Sequence, residues 1–335
     1  MELCVIEADG IGREVIPAAV RVLKKVAQVE IHTAQAGWDY FEQNGTPLPD
    51  ETIALAKRCG AVLFGAAASP HYPVEGYYSP IVRLRRALQV YANLRPTRYY
   101  PVPAARPGVD LLVVRENTED LYVQHEELSA DQQTATAEKV ITRVATERVA
   151  RMAFDLALRS GRSKVTIVHK ANVLPQSDGL FRRVALEISE YYPEIFTDEL
   201  LVDTAAYWMV KDPLRFDIVL TPNLYGDILS DMAAAWGGGL GLAPSLNLGD
   251  GVAIAEPVHG SARDITGKGI ANPTAAILSA ALLLRYHWHQ PEVAARVEEA
   301  VRMTLKAGHH TADINPDGAL STSAFTDKVL ENLGK

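Results

Sequence analysis

Asp227 and Asp231 stand four residues apart in NLYGDILSDMAAAWGGG. On a helix that spacing puts both carboxylates on one face, about one turn apart. A solvated face is the plain reading of such a pair. The chemical reading is two hard oxygen ligands for Mg2+ or Mn2+, with the remaining positions left to water and to a substrate carrying its own oxygens. Gly226 before the pair and Gly237-Gly238-Gly239 after it allow close backbone approach. Asp203 offers a third carboxylate, and Arg85, Arg95 and Arg115 offer the opposite charge. A guanidinium binds carboxylate through a planar fork, so three converging arginines imply a substrate with more than one carboxylate. Without a divalent metal between them, the aspartates would repel such an acid. Lys170 can take a proton from a hydroxyl and Tyr122 can return one to carbon. A metal chelated by an α-hydroxyl and its neighbouring carboxylate acidifies the hydroxyl and stabilises the enolate left when CO2 departs. These residue types fit oxidation followed by decarboxylation, and the hydride requires a nicotinamide.

The elements that must position these groups can be read from the hydrophobic pattern. After Asp217 the run Ile218–Thr221 makes a short buried strand, Thr221-Pro222-Asn223 breaks it, and Ile228, Leu229, Met232 and Ala233 recur with a helical period. Upstream, Leu3–Ile6 reads as a strand, Asp9-Gly10-Ile11-Gly12 as a turn, and Val15–Ala27 as an amphipathic helix. The GxG here is not a Rossmann fingerprint, because Val15 stands where the third glycine belongs. Further strands are expected at Val29–Thr33, Ala61–Phe64, Leu111–Val114, Val165–Val168 and Glu199–Asp203. Helices are expected at 50–58, around Arg83, Arg85 and Arg86, at 145–158, 178–191, 275–284 and 326–333. The proline-rich stretch Pro96–Pro107 reads as a crossing between domains, and the polar stretch 124–138 as an arm. Strands alternating with helices predict an α/β protein with a largely parallel sheet, whose ligands collect at the carboxyl ends of strands.

A chain of 335 residues suits two domains. With 48% apolar and 22% charged residues it has an ordinary globular composition, and its net charge of −8 argues against nucleic acid as a partner. Cys4 and Cys59 are too few for a disulfide framework and are expected to pack. MELCVIEADG lacks a basic region followed by an apolar run, so a cytoplasmic protein without membrane span is expected. In the loop 256–272, Gly260, Gly267 and Gly269 let backbone amides approach a cofactor, and Asp264 can accept from both ribose hydroxyls. Asp264 would repel a 2′-phosphate and favours NAD, while Arg263 beside it pulls toward NADP.

The motifs EADGIG, LRRALQVYANLRP, VRENTEDLYV, HKANVLP, NLYGDILSD, EPVHGSARDITGKGIANPTAAILSA and SAFTDKV span the chain and together resemble the β-decarboxylating dehydrogenases of isocitrate, 3-isopropylmalate and homoisocitrate. The resemblance implies their two-domain fold, not Rossmann, with a discontinuous cofactor domain (1–95 and 238–335) and a substrate, metal and dimerisation domain (96–237). It implies Arg85, Arg95 and Arg115 as carboxylate clamps, Tyr122 as general acid, Lys170 as general base, and Asp203, Asp227 and Asp231 as metal ligands. Asn172 and Val173 would flank the nicotinamide, and His259, Gly260, Ser261, Ala262, Asp264, Ile265 and Asn272 would hold the adenosine. The family usually has proline where Arg263 stands. Family dimers exchange Lys170, Asn172 and Asp203 between subunits, so a homodimer or dimer of dimers is implied.

Specificity in this family lies mainly in the segment before Arg85, here Ser69–Val82, with Ser69, Ser79 and Val82 as substrate contacts. Isocitrate enzymes usually carry asparagine in place of Ile81, and isopropylmalate enzymes present leucines; GYYSPIVRLRR is most similar to the homoisocitrate branch. The expectation is oxidative decarboxylation of homoisocitrate to 2-oxoadipate in lysine synthesis, with some use of isocitrate. The alternatives are the isopropylmalate, isocitrate, tartrate or malate reaction, or a non-catalytic regulatory subunit.

Overall fold

The structure, a computed structural model, describes residues 1–70 and 72–334; His71 and Lys335 lie outside the described residues. The central strands, such as those holding Leu3–Ile6, Ala61–Phe64, Leu111–Val114 and Ile218–Leu220, are near-continuous buried apolar runs, as strands covered on both faces must be. The chain opens with β1 (Glu2–Ala8), α1 (Gly12–Val26), β2 (Glu30–Thr33), α2 (Trp38–Asn44), α3 (Asp50–Cys59), β3 (Ala61–Ala66) and α4 (Pro80–Ala87). It continues through β4 (Ala92–Arg98), β5 (Asp110–Glu116), the hairpin β6 (Glu126–Leu128) and β7 (Ala135–Ala137), α5 (Arg143–Ser160), β8 (Lys164–His169), α6 (Ser177–Ser189) and β9 (Phe196–Leu201). Then follow α7 (Val202–Lys211), β10 (Ile218–Thr221), α8 (Asn223–Gly237), β11 (Pro244–Gly249), β12 (Val252–Pro257), α9 (Thr274–Leu282), α10 (Pro291–Lys306) and α11 (Thr322–Leu333).

Two compact units result, one made of residues 1–90, 99–107 and 234–335, the other of 91–98 and 108–233. In the first, the strand order is β2-β1-β3-β12-β11, with only β11 antiparallel to its neighbour β12. Cys4, Ile6, Val62, Phe64, Leu84, Leu88 and Ile254 form a core against which Cys59 packs. Every residue of α9 is buried, because it lies beneath α1 and α10 and against β11 and β12. In the second unit the order is β4-β5-β10-β8-β9, with β4 antiparallel and the rest parallel. Helix α5 buries Val149, Ala150, Ala153 and Phe154; it starts at Thr142, whose side chain accepts from Ala145 N, and stops at Gly161 in the left-handed region.

Two expectations are corrected, at Pro96 and at Asp203. The stretch Pro96–Pro107 does pass between the two units, at 98–99 and 107–108, but its first three residues belong to a strand: Pro96 lies inside β4, opposite Leu112 of β5. Leu112 turns its N–H the other way, to Asp217 O at 2.8 Å, so this pair is not hydrogen-bonded and the missing proline N–H costs no bond to β5. The glycine-rich stretch after Gly237 contains the β11–β12 hairpin, turned at Gly251 with φ +75°. Asp203 sits in the first turn of α7 rather than at the end of a strand. The polar stretch 124–138 carries a two-stranded hairpin exposed along its length. Among the described residues no helix is long and apolar enough to cross a membrane.

Glu119, which follows β5, is buried and accepts from Thr142 N at 2.8 Å and Thr142 Oγ1 at 2.9 Å. Burial raises its carboxyl from 4.5 to about 7 against those hydrogen bonds. The folded chain therefore binds this proton more tightly than the unfolded one. The group costs no stability below 4.5 and costs progressively more as pH rises to about 7. A Glu119→Gln variant keeps an acceptor for Thr142 N, and its melting temperature should fall less over that interval; an unchanged pH slope would show that Glu119 is not the titrating group.

Candidate active site

In the second unit, strand ends and one helix bring five of the expected residues together. Arg115 is the sixth residue of β5, and Tyr122 follows in a short 3-10 turn over 121–123. Arg95 comes from β4, and Asp227 and Asp231 share one face of α8. Arg115 Nη1 donates to Asp227 Oδ1, and its Nε donates to Asn223 Oδ1 at 2.9 Å. Arg95 Nη1 lies 3.1 Å from Asp227 Oδ1 and 3.0 Å from Asp231 Oδ1, and it donates to Ser230 Oγ at 2.8 Å. Its Nε is oriented by Asn93 Oδ1 at 2.9 Å, two residues earlier on the same face of β4. Tyr122 OH donates to Asp227 Oδ2 at 2.6 Å while the Arg115 guanidinium lies over its ring. The Arg115 side chain is 1% exposed and that of Asp231 is 51% exposed, so the cations form the floor and the carboxylates face outward. Burial raises the Tyr122 phenol above its ordinary range, with Arg115 opposing and Asp227 adding, so it holds its proton. Partial burial also raises Asp231, with Arg95 opposing and the like charge of Asp227 adding.

Lys170 and Asp203 form a separate pair in this unit, Nζ to Oδ1 at 2.5 Å. Lys170 is placed by Asp178, whose Oδ2 accepts the Lys170 backbone N–H at 2.6 Å at the start of α6. Asn172 and Val173 follow in an exposed turn. Within one chain, among the described residues, Asp203 does not join Asp227 and Asp231 within 4.8 Å.

The first unit carries the remaining positions. Arg85 is buried on α4 and gives Nε and Nη2 to Glu256 Oε1 at 3.2 and 2.6 Å, an oxygen that also accepts from Asn247 Nδ2 at 2.7 Å. Glu256 and Asn247 were not singled out in the sequence; the only signal was a glutamate inside an apolar run. Ser79 is the residue before α4, and its side chain makes no capping hydrogen bond. Ile81 and Val82 are half-buried in the next turn, and Ser69 is exposed. Tyr77 packs edge-on against Trp38 and Phe41, and Arg83 lies over Tyr78, so both tyrosines pack rather than hang free.

In the loop 258–272, added Cβ atoms at Gly260, Gly267 and Gly269 would meet nothing within 4 Å, leaving the backbone open to a ligand. Gly10, at φ +57°, accepts the loop closely: a Cβ there would stand 2.0 Å from Ser261 O, and Ile11 N donates to that oxygen at 2.9 Å. His259 Nδ1 lies 3.0 Å from Gly260 O, and a carbonyl can only accept, so the proton is placed on Nδ1. Burial keeps the ring neutral, and Nε2 is left as a buried acceptor with no partner. That orphaned acceptor fits an amino or hydroxyl donor such as a nucleoside carries. Asn272 donates to Asp313 Oδ2 at 3.0 Å, and Ala262 holds φ +38° ahead of the short turn 263–265 that contains Asp264 and Ile265.

The oxygen-only pair Asp227 and Asp231 fits Mg2+ or Mn2+, with further ligands needed from elsewhere. Gly226 makes the pair possible, since a Cβ there would stand 2.6 Å from Arg115 Cγ and 2.7 Å from its Cβ. Gly226→Ala should destabilise by about 1–3 kcal/mol through overpacking and weaken Mn2+ binding by displacing Arg115. Unfolding and Mn2+ titration check this; wild-type values for both would refute it.

The profile of the isocitrate/isopropylmalate dehydrogenase family matches residues 2–329. The isocitrate/homoisocitrate dehydrogenase of Thermus thermophilus is 51% identical over 332 residues, covering 99% of this chain and 98% of that protein. The 3-isopropylmalate dehydrogenase of Archaeoglobus fulgidus is 48% identical over 334 residues, covering 99% of each. The crystal structure of isocitrate dehydrogenase from Methylococcus capsulatus matches with a TM-score of 0.96 at 41% identity, over 100% of this chain and 99% of that one. The chain belongs to the isocitrate/isopropylmalate dehydrogenase family, oxidative decarboxylating enzymes that act on hydroxy acids with NAD(P) and a divalent metal.

Proposed function

We propose that this chain oxidises and decarboxylates homoisocitrate to 2-oxoadipate and CO2, with NAD and Mg2+ or Mn2+, in lysine synthesis by way of 2-oxoadipate. The observation that carries this reading is the start of α4. Ile81, Val82 and Arg85 are spaced for one helix face, and the Ser79 hydroxyl is not used as a cap. An apolar side of two half-buried residues suits the extra methylene of homoisocitrate, and the Ser79 hydroxyl and the Arg85 guanidinium are donors of the kind that suits the carboxylate that ends it. The isocitrate/homoisocitrate name of the Thermus relative supports the same choice.

In this reading Arg85, Arg95 and Arg115 hold the substrate carboxylates. Lys170 removes the hydroxyl proton and Tyr122, kept protonated by burial, returns one to the enolate carbon. Bound metal and NAD supply the Lewis acid and the hydride acceptor. Because Lys170 and Asp203 pair apart from Asp227 and Asp231 within a chain, we assign them to the site of a second copy, in a homodimer or dimer of dimers. The second reading is 3-isopropylmalate as substrate, favoured by the Archaeoglobus relative and by Ile81.

NAD is preferred in this reading because Arg263 is engaged. Its Nη2 lies 2.7 Å from Asp39 Oδ1, and the other oxygen of Asp39 takes Arg13 Nη2 at 2.7 Å. With Asp39 between the two guanidiniums, Arg263 reaches a 2′-phosphate only by giving up an ion pair. Asp39→Asn should tighten NADP binding by about ten-fold, near 1.4 kcal/mol, and leave NAD binding unchanged in calorimetry; no gain for NADP would remove Asp39 as a determinant.

The test of the reaction is kcat/KM for homoisocitrate, isocitrate, 3-isopropylmalate, tartrate and malate, with and without Mg2+. Homoisocitrate should lead, by a margin of about 1–3 kcal/mol per methylene. A lead for 3-isopropylmalate would transfer the assignment to the second reading. Lys170→Ala should fold normally and lose at least about 100-fold in kcat, and normal turnover would exclude Lys170 as base.

A further inference from the structure

The sheet edge of the first unit gathers a second set of metal-type donors, none of which belongs to the site above. Strands β1 and β2 run parallel with Glu2 beside Glu30 and Cys4 beside His32. Residues two apart in a strand share a face, so these four side chains point the same way. The end of α3 packs on that side and brings Cys59, its last residue, to the group. A carboxylate oxygen of Glu2, a ring nitrogen of His32 and Sγ of Cys59 all lie within 4.8 Å of one another. His32 Nε2 is 3.6 Å from Glu2 Oε2 and 3.6 Å from Glu30 Oε1, beyond hydrogen-bond range of both. That nitrogen is closed to solvent and has no hydrogen-bond partner.

We propose that Glu2, His32 and Cys59 form a binding site for a zinc-type dication, with Glu30 or a water as fourth ligand. Mixed sulfur, nitrogen and oxygen donors are the set that tetrahedral zinc takes, whereas Mg2+ and Ca2+ take oxygen. Metal–ligand bonds of about 2.0–2.3 Å in a tetrahedron place donor atoms about 3.3–3.8 Å apart, a range that contains the separation of His32 and Glu2. The local field also favours a cation. Glu2 and Glu30 contribute negative charge, the C-terminus of α3 adds its partial negative charge, and Arg58 is the opposing cation that acts on Cys59. Burial and these two carboxylates raise the Cys59 thiol, a penalty that a bound dication reverses by stabilising the thiolate. Cys4 beneath is fully buried and its thiol is pushed up to about 12, so it remains a packing residue. Metal here would tie the edge strand β2 to β1 and to the end of α3.

The experiment is titration of the purified full-length protein with Co2+ in saturating Mg2+, which fills oxygen-only sites. One Co2+ per chain should produce a sulfur-to-cobalt charge-transfer band, displaced by Zn2+. The band should disappear in Cys59→Ser, weaken at least ten-fold in affinity in His32→Ala, and persist in Asp231→Asn. Zn2+ should raise the melting temperature of the wild type by several degrees and leave that of Cys59→Ser unchanged. Absence of the band in the wild type, or its survival in Cys59→Ser, would overturn the site.

Discussion

Two buried guanidiniums facing the carboxylates of α8 are the constraint around which the second unit is arranged. Arg115 is inside a strand and almost wholly buried, and a charge that deep left unpaired costs on the order of several kcal/mol. Asp227 must therefore stay against it, and that fixes where Asn223, Gly226 and Asp227 of α8 meet Arg115. Gly226 removes the one side-chain atom that would stand in the way. Asn223 takes the Nε–H of Arg115 and Asn93 that of Arg95, so both arginines are oriented before any ligand arrives. Preorganised charge of this kind acts without reorganising at the moment of reaction.

The same logic recurs in the first unit with different partners. Arg85 is kept by Glu256, and Glu256 by Asn247, both supplied by the antiparallel hairpin β11–β12. The hairpin thus does more than widen the sheet: its inward polar residues hold a charge on α4. On the cofactor loop, order comes from backbone rather than side chains. Ser261 O is gripped by Ile11 N over Gly10, and Gly267 N is held by Glu14 Oε1 at 2.6 Å. The loop glycines are left bare, and His259 keeps one acceptor unused.

Chemistry and fold class were legible in the residues because both are local. Apolar runs alternating with helical periods mark buried parallel strands, and aspartates four apart on a helix share a face whatever lies around them. The missing third glycine, where Val15 stands, likewise excludes the commonest nucleotide fold. Pro96 misled for the same reason. Proline signals a break in a local pattern, but a non-hydrogen-bonded pair absorbs a proline, and that pairing is not visible without the neighbouring strand.

The sequence by itself determined which ionisable groups this protein brings to bear and that they sit near strand ends, since residue type and periodicity carry that much. Only the tertiary structure decided the pairings: Arg115 and Arg95 on Asp227, Arg85 on Glu256, Arg263 on Asp39, Lys170 on Asp203. Charges select partners by distance and by what else shares the low-dielectric pocket. Residues 171 positions apart, such as Arg85 and Glu256, meet only when the sheet that lies between them has formed.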